Sequence, residues 1–239
     1  MRRLYLMRHG ETLYLGRGSP DGVDLTPEGL RQITVAAELF DAVRLDLVVA
    51  SPMRRAMDTA GVIAARQHLT VEPVADLREI SPEGLDGMEV AEIFSQVLRF
   101  FSSPEVTWDT PFVGGETFRQ LVVRVMGFVE ALLGRAGWTN ALAVAHGGAN
   151  MALLAGVLGL GEGEIPKLEQ DLGCINAIDF GESDRALVRL INHSPHDPLK
   201  STLREPSFAR LRNLLEARGR ELAGMRMRWR TGEGDPELY

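Results

Sequence analysis

The chain has 239 residues, 45% hydrophobic and 25% charged, which suits a single globular domain with a sizeable core rather than a disordered chain. A net charge of −7 argues against a general nucleic-acid binder, and the lone cysteine, Cys174, excludes an intrachain disulfide and a cysteine-based zinc cluster. The apolar runs are too short for a signal peptide or a membrane span, so the expected location is cytoplasmic, with no membrane partner.

Leu4-Tyr5-Leu6-Met7 reads as a buried strand over about 3–7. It delivers Arg8, His9 and Gly10 to its carboxyl end, where open α/β sheets collect ligands. A glycine-rich loop follows at 16–22. Thr26 as N-cap and Pro27 in the first turn then open a helix whose apolar face is Leu30, Ile33, Ala37 and Phe40. Residues 45–50 form a second strand, and Ser51-Pro52 is expected to open a second helix running to about Gln67. The run 71–74 is a short strand that its proline demotes toward an edge.

Residues 80–115 have a different texture. Pro82, Pro104 and Pro111, a short helix at about 89–101 and aromatics that look exposed suggest an inserted lid. Gly114-Gly115-Glu116-Thr117 leads into a long helix to about Leu133. Ala141–Ala145 is wholly apolar, as in the middle of a parallel sheet. His146-Gly147-Gly148 ends that strand and a helix to about Leu158 follows. The runs 173–180 and 185–191 read as a hairpin around Gly181-Glu182, with a final helix over about 205–223 and loose last residues. The expected fold is α/β: a three-layer α/β/α sandwich with a mostly parallel sheet, a small helical lid at about 80–115 and a C-terminal helical extension from about 200, all one domain over 1–239.

Three strand-to-helix junctions carry related side chains: Arg8-His9, then Arg54-Arg55, then His146. In a parallel sheet these lie on one edge, so two histidines and at least two arginines converge, with Glu79 able to join from the lid side. Arginine grips an oxyanion through two parallel hydrogen bonds and histidine can act as a nucleophile. Helix N-termini at Ser51 and Gly147 would add backbone donors for an anion.

Six ordered motifs, RHGET at 8–12, DLTPEG at 24–29, SPMRRAMDTA at 51–60, LREI through GLDG at 77–87, GGET at 114–117 and AVAHGG at 143–148, resemble the histidine phosphatase superfamily, the phosphoglycerate-mutase-like enzymes. The resemblance covers roughly 1–195. It implies that His9 attacks phosphorus and that Arg8, Arg55 and His146 surround the phosphoryl group, with Thr12 and Gly147 also binding substrate. Arg55 fits the family's Arg-Ala dipeptide and leaves Arg54 as a solvent-facing neighbour. Glu79 matches the acid of one branch; the other branch uses an Asp after the second His, and here that position is Gly147. No cofactor and no metal are implied, and the implied partner is a small phosphorylated metabolite.

The chain departs from the family where a frequent Trp-Asn is replaced by Tyr14-Leu15, and where the tryptophan-containing pattern after the acid has become Gly84-Leu85-Asp86-Gly87. Arg99 is the only arginine in 80–115, so the arginine pair of the mutases is missing, which favours a phosphatase over a phosphomutase. Phe94, Leu98, Phe100, Phe101, Trp108 and Phe112 suggest a less polar leaving-group pocket, although such residues more often form core. A non-catalytic phospho-ligand module is the alternative of another class, disfavoured because binding alone needs neither nucleophile nor acid. His193, His196 and Asp197 read as a structured loop rather than a metal site, and the basic run 225–230 as tail. An exposed edge or the helix at 205–223 is the expected surface for any homodimer.

Overall fold

The computed structural model describes residues 1–12, 23–161, 167–181, 186–207, 209–210, 213, 227–228 and 237–238. The expected glycine-rich loop, Tyr14 and Leu15, the tip of the hairpin and most of the helix at 205–223 lie outside the described residues.

A six-stranded sheet organises the fold in the order β3-β2-β4-β1-β5-β6. Its strands are β1 (Arg2–Arg8), β2 (Leu47–Ala50), β3 (Val71–Pro73), β4 (Asn140–Ala145), β5 (Ile175–Phe180) and β6 (Ala186–His193). The first four are mutually parallel; β5 runs antiparallel to β1 and pairs antiparallel with β6. β3 is an edge strand, which is where a proline inside a strand is tolerated.

Side chains alternate across this sheet and so divide the core in two. Leu4, Leu6, Val49, Ala141 and Ala143 face one layer, built from α4 (Phe118–Gly134), α5 (Gly147–Leu158) and the lid. Met7, Val48, Ala50, Leu142 and Val144 face the other, built from α1 (Pro27–Phe40) and α2 (Arg54–Arg66). The three-layer sandwich expected from the alternation of strands and helices is the architecture found.

Local chemistry sets the helix ends. Thr26 Oγ1 accepts from Gly29 N at 2.9 Å, capping α1. Thr117 and Gln120 form a reciprocal capping box at the start of α4. Gly159 closes α5 in the left-handed conformation that glycine adopts without strain. The second helix departs from expectation: α2 starts at Arg54 with Met53 as N-cap, not at Ser51-Pro52. The Ser51 hydroxyl accepts from Met53 N at 3.4 Å and lies 2.8 Å from His146 Nε2, and the helix N-terminus stands three residues further on, at Arg54.

The lid also differs. Its helix α3 (Val90–Ser102) lies where expected, but three of the aromatics that looked exposed, Phe100, Trp108 and Phe112, are core, while Phe94 and Phe101 are half-buried. Phe100, Trp108 and Phe112 are 4–7% exposed and stack edge-on, Phe100 on Phe112 and Trp108 on Phe118 of α4. Near the C-terminus, Met227–Arg228 (β7) pairs antiparallel with Glu237–Leu238 (β8), and the rest of the tail expected to be loose lies outside the described residues.

Candidate active site

The register of the central strands sets the site. Arg8 on β1 is level with Ala145 on β4, and Ala50 on β2 is level with Val144. The next residue along each strand, His9, His146 and Ser51, therefore emerges at one sheet edge. Backbone bonds fasten that edge: His9 N donates to Ala145 O at 3.1 Å and Ser51 N to Val144 O at 2.9 Å.

His9 is 1% exposed and its two ring nitrogens have different partners. Nδ1 lies 2.7 Å from Gly10 O; a carbonyl oxygen only accepts, so Nδ1 carries the proton. Nε2 then bears the lone pair, and Arg55 Nε–H donates to it at 3.2 Å. Burial, then the charges of Arg55 and Arg8, hold the imidazole well below the ordinary histidine pKa. The loop carrying His9 is tied to α2, since Gly10 N donates to Thr59 Oγ1 at 3.2 Å and Thr59 Oγ1 donates to Arg55 O at 2.8 Å. A side chain at Gly10 would place its Cβ 2.8 Å from Gly29 O, which is why glycine follows the histidine.

His146 is fully buried, with its ring centroid 5.2 Å from that of His9. Its pKa is also pushed well down, by burial first and then by Arg55, His9, Arg8 and Arg78. With Nε2 held by Ser51 Oγ, Nδ1 is buried with no hydrogen-bond partner among the described residues. Thr12 Oγ1 is likewise buried and unpartnered among the described residues. Arg55 is 3% exposed, whereas Arg54 is exposed and pairs with Asp24 at 2.7 Å, so the two adjacent arginines separate as the resemblance implies.

The two glycines after His146 have distinct uses. A Cβ on Gly147 would lie 3.3 Å from Arg8 Cζ, and one on Gly148 only 2.5 Å from Glu79 Oε1. Arg8 and Glu79 thus lie over consecutive residues of the first turn of α5. The Glu79 carboxylate accepts from the backbone N–H groups of Ile80, Gly148 and Ala149, each at 3.0 Å. It occupies the position where a helix N-terminus favours negative charge.

Sequence reasoning missed four contributors. Ser51 orients His146. The charge of Arg78 reaches His146. Arg124 on α4 bridges Glu116 at 2.8–2.9 Å and donates to Asp76 O and Arg78 O, clamping the segment that carries Glu79. Glu116 Oε2 also accepts from Ser81 N at 3.2 Å. The motifs LREI and GGET contain Arg78 and Glu116, but only the fold reveals the clamp. By contrast, His193, His196 and Asp197 gather no metal-binding cluster among the described residues. Asp197 instead accepts five hydrogen bonds from Ser201, Thr202 and Leu203 at 2.6–3.0 Å and closes a turn. Cys174 is buried and its thiol is pushed up to about 12 by desolvation, so it is no nucleophile. A groove of about 930 Å3 opens at the opposite end of the sheet, lined by Arg2, Glu130 and Phe180 among others, and includes none of these site residues.

A sandwich whose sheet edge gathers two low-pKa imidazoles and two guanidiniums around one histidine lone pair defines an oxyanion-handling enzyme. The family follows from comparison: residues 4–193 match the model of the histidine phosphatase superfamily (branch 1), and the chain belongs to that superfamily. It is 28% identical over 197 residues to the adenosylcobalamin/alpha-ribazole phosphatase of Escherichia coli, covering 80% of this chain and 95% of that protein. A putative phosphoserine phosphatase 2 of Hydrogenobacter thermophilus is 32% identical over 199 residues, with the same coverage of each. Among solved structures, mycobacterial glucosyl-3-phosphoglycerate phosphatase with inorganic phosphate superposes with a TM-score of 0.69 at 28% identity, covering 82% of this chain and 99% of that one. The protein is a phosphatase of this superfamily.

Proposed function

We propose that the protein is a phosphomonoesterase that hydrolyses a small phosphorylated metabolite of the cytoplasm through a phosphohistidine on His9, without a metal. The observation that carries this reading is the tautomer of His9. Gly10 O takes the Nδ1 proton, so the Nε2 lone pair faces the guanidinium of Arg55. On binding, the guanidiniums of Arg55 and Arg8 take the equatorial oxygens of the phosphoryl group, where charge builds in the transition state. His146 Nδ1 and Thr12 Oγ1, both buried and unpartnered among the described residues, supply further contacts to those oxygens, and Gly147 N lies at the same helix start.

In the first step Nε2 forms the N–P bond as the bond from phosphorus to the ester oxygen breaks, and Glu79 gives that oxygen its proton. In the second step a water oxygen attacks phosphorus, the N–P bond breaks and Glu79 recovers a proton from the water. The products are the alcohol and inorganic phosphate. Two of the three backbone bonds to Glu79 go to Oε1 and one to Oε2, so Oε2 retains a position from which to pass a proton to the leaving oxygen. Water is the favoured acceptor because Arg99, exposed and 3.5 Å from Glu105, brings no cation to the site for a second phosphate group.

A panel of phosphorylated metabolites, assayed for released phosphate with and without a chelator, tests the reading. The expected result is chelator-insensitive release from a subset of monoesters. Phosphoryl return to a phosphoglycerate in place of release would identify a mutase, and binding without turnover would identify a phospho-ligand module.

A further inference from the structure

The family match ends at residue 193, yet the chain beyond it returns to the site. Ser207 Oγ accepts from Arg8 Nη1 at 3.3 Å and from Arg210 Nη2 at 3.2 Å, while Ser207 N donates to Glu169 Oε2 at 3.2 Å. Arg210 in turn donates to Asp171 Oδ1 at 2.8 Å. The other oxygen of Asp171 accepts from Lys200 Nζ at 2.7 Å and from Asn192 Nδ2 at 3.0 Å. Asp171 is buried, so this carboxylate fixes the C-terminal segment at two points. Its neighbour Gln170 accepts from the same Arg8 Nη1 through its backbone carbonyl. The Arg8 guanidinium therefore has Gly147 on one side, and the 169–171 loop with the C-terminal segment on another.

We propose that residues 194–207 together with Arg210 are a working part of the site, in which Ser207 is a positioning residue that sets the guanidinium of Arg8 for the phosphoryl group and the Asp171–Arg210–Lys200 cluster holds Ser207 in place. The inference rests on the reading that Arg8 binds a phosphoryl oxygen. An arginine grips an oxyanion best when its plane is fixed beforehand, because ordering a long side chain on binding costs rotamer entropy. A hydroxyl suits that task. As a neutral acceptor it orients the guanidinium and leaves its charge for the substrate, where a carboxylate would compete with the anion.

The test uses the full chain carrying Ser207→Ala or Ser207→Thr. It measures the dissociation constant of inorganic phosphate by calorimetry, KM and kcat on p-nitrophenyl phosphate, and the melting temperature. Losing one long hydrogen bond, 3.3 Å, that positions Arg8 without itself touching phosphate is expected to weaken phosphate binding about three- to tenfold in Ser207→Ala and to raise KM similarly, with kcat less affected. Ser207→Thr, which keeps the hydroxyl, is expected to bind within about twofold of wild type at an unchanged melting temperature. Phosphate binding by Ser207→Ala equal to wild type would overturn the proposal, as would equal losses in both variants accompanied by lowered melting temperatures. The binding measurement separates the two readings. A wild-type chain that binds phosphate without turning over any monoester would sink the hydrolase reading and leave the role of Ser207 decided by the same constants.

Discussion

At Gly147 and Gly148 the missing side chains let Arg8 and Glu79 lie over one helix turn, and at His9 a single carbonyl selects the reactive tautomer. These are small features with chemical consequences. Both buried histidines have pKa values held well below 6.5, so protonation of either ring requires distinctly acidic solution. Attack needs a neutral Nε2. The sign follows: activity limited by this ring is retained as pH falls through the ordinary histidine range and is lost only below it. The acid limb of kcat/KM is therefore expected below pH 6.5, the unperturbed value. A pH–rate profile on p-nitrophenyl phosphate checks this, and an acid limb above the unperturbed value would contradict the neutral, desolvated His9.

At the scale of elements, α4 does more than cover the sheet. Through Arg124 it joins the 76–81 segment to Glu116, fixing the stretch, a single 3-10 turn followed by irregular chain, from which Glu79 reaches α5. The pair is partly buried, with side-chain exposures of 23% and 14%, so it is better shielded from solvent than the exposed ion pairs elsewhere on the chain. Loosening it should mislocate the acid more than the phosphoryl pocket. Arg124→Gln is expected to lower kcat/KM about tenfold on an alkyl phosphate, whose leaving oxygen must be protonated, and less than about threefold on p-nitrophenyl phosphate, whose leaving group departs unaided. Equal losses on the two substrates would show that the clamp does not act through Glu79.

For the whole molecule, the parts legible in the sequence were those with short-range signatures. Alternating strands and helices gave the sandwich, and Thr26-Pro27 marked the start of α1. The three polar junctions were legible because parallel strands place their carboxyl ends together, so His9, Arg55 and His146 could be placed on one edge before any distance was known. Long-range pairings were not legible. Ser51 looked like a helix cap because Ser-Pro often is one, but its bond to His146 spans 95 positions. The lid aromatics looked exposed, yet Phe100 stacks on Phe112 inside the lid and Trp108 stacks on Phe118 of α4, contacts that no local pattern announces. Ser207 carries no local signal at all; its role arises from a contact with Arg8 199 positions away. The central claim, a covalent phosphoryl group on His9, is tested most directly by quenching a rapid reaction with a 32P-labelled substrate identified from the panel in alkaline detergent, which preserves a phosphohistidine. The account predicts an acid-labile, alkali-stable label on wild type that maps to His9 and is absent from His9→Ala. A wild-type enzyme that turns over substrate without ever accumulating label, or a His9→Ala chain that keeps its activity, would contradict it.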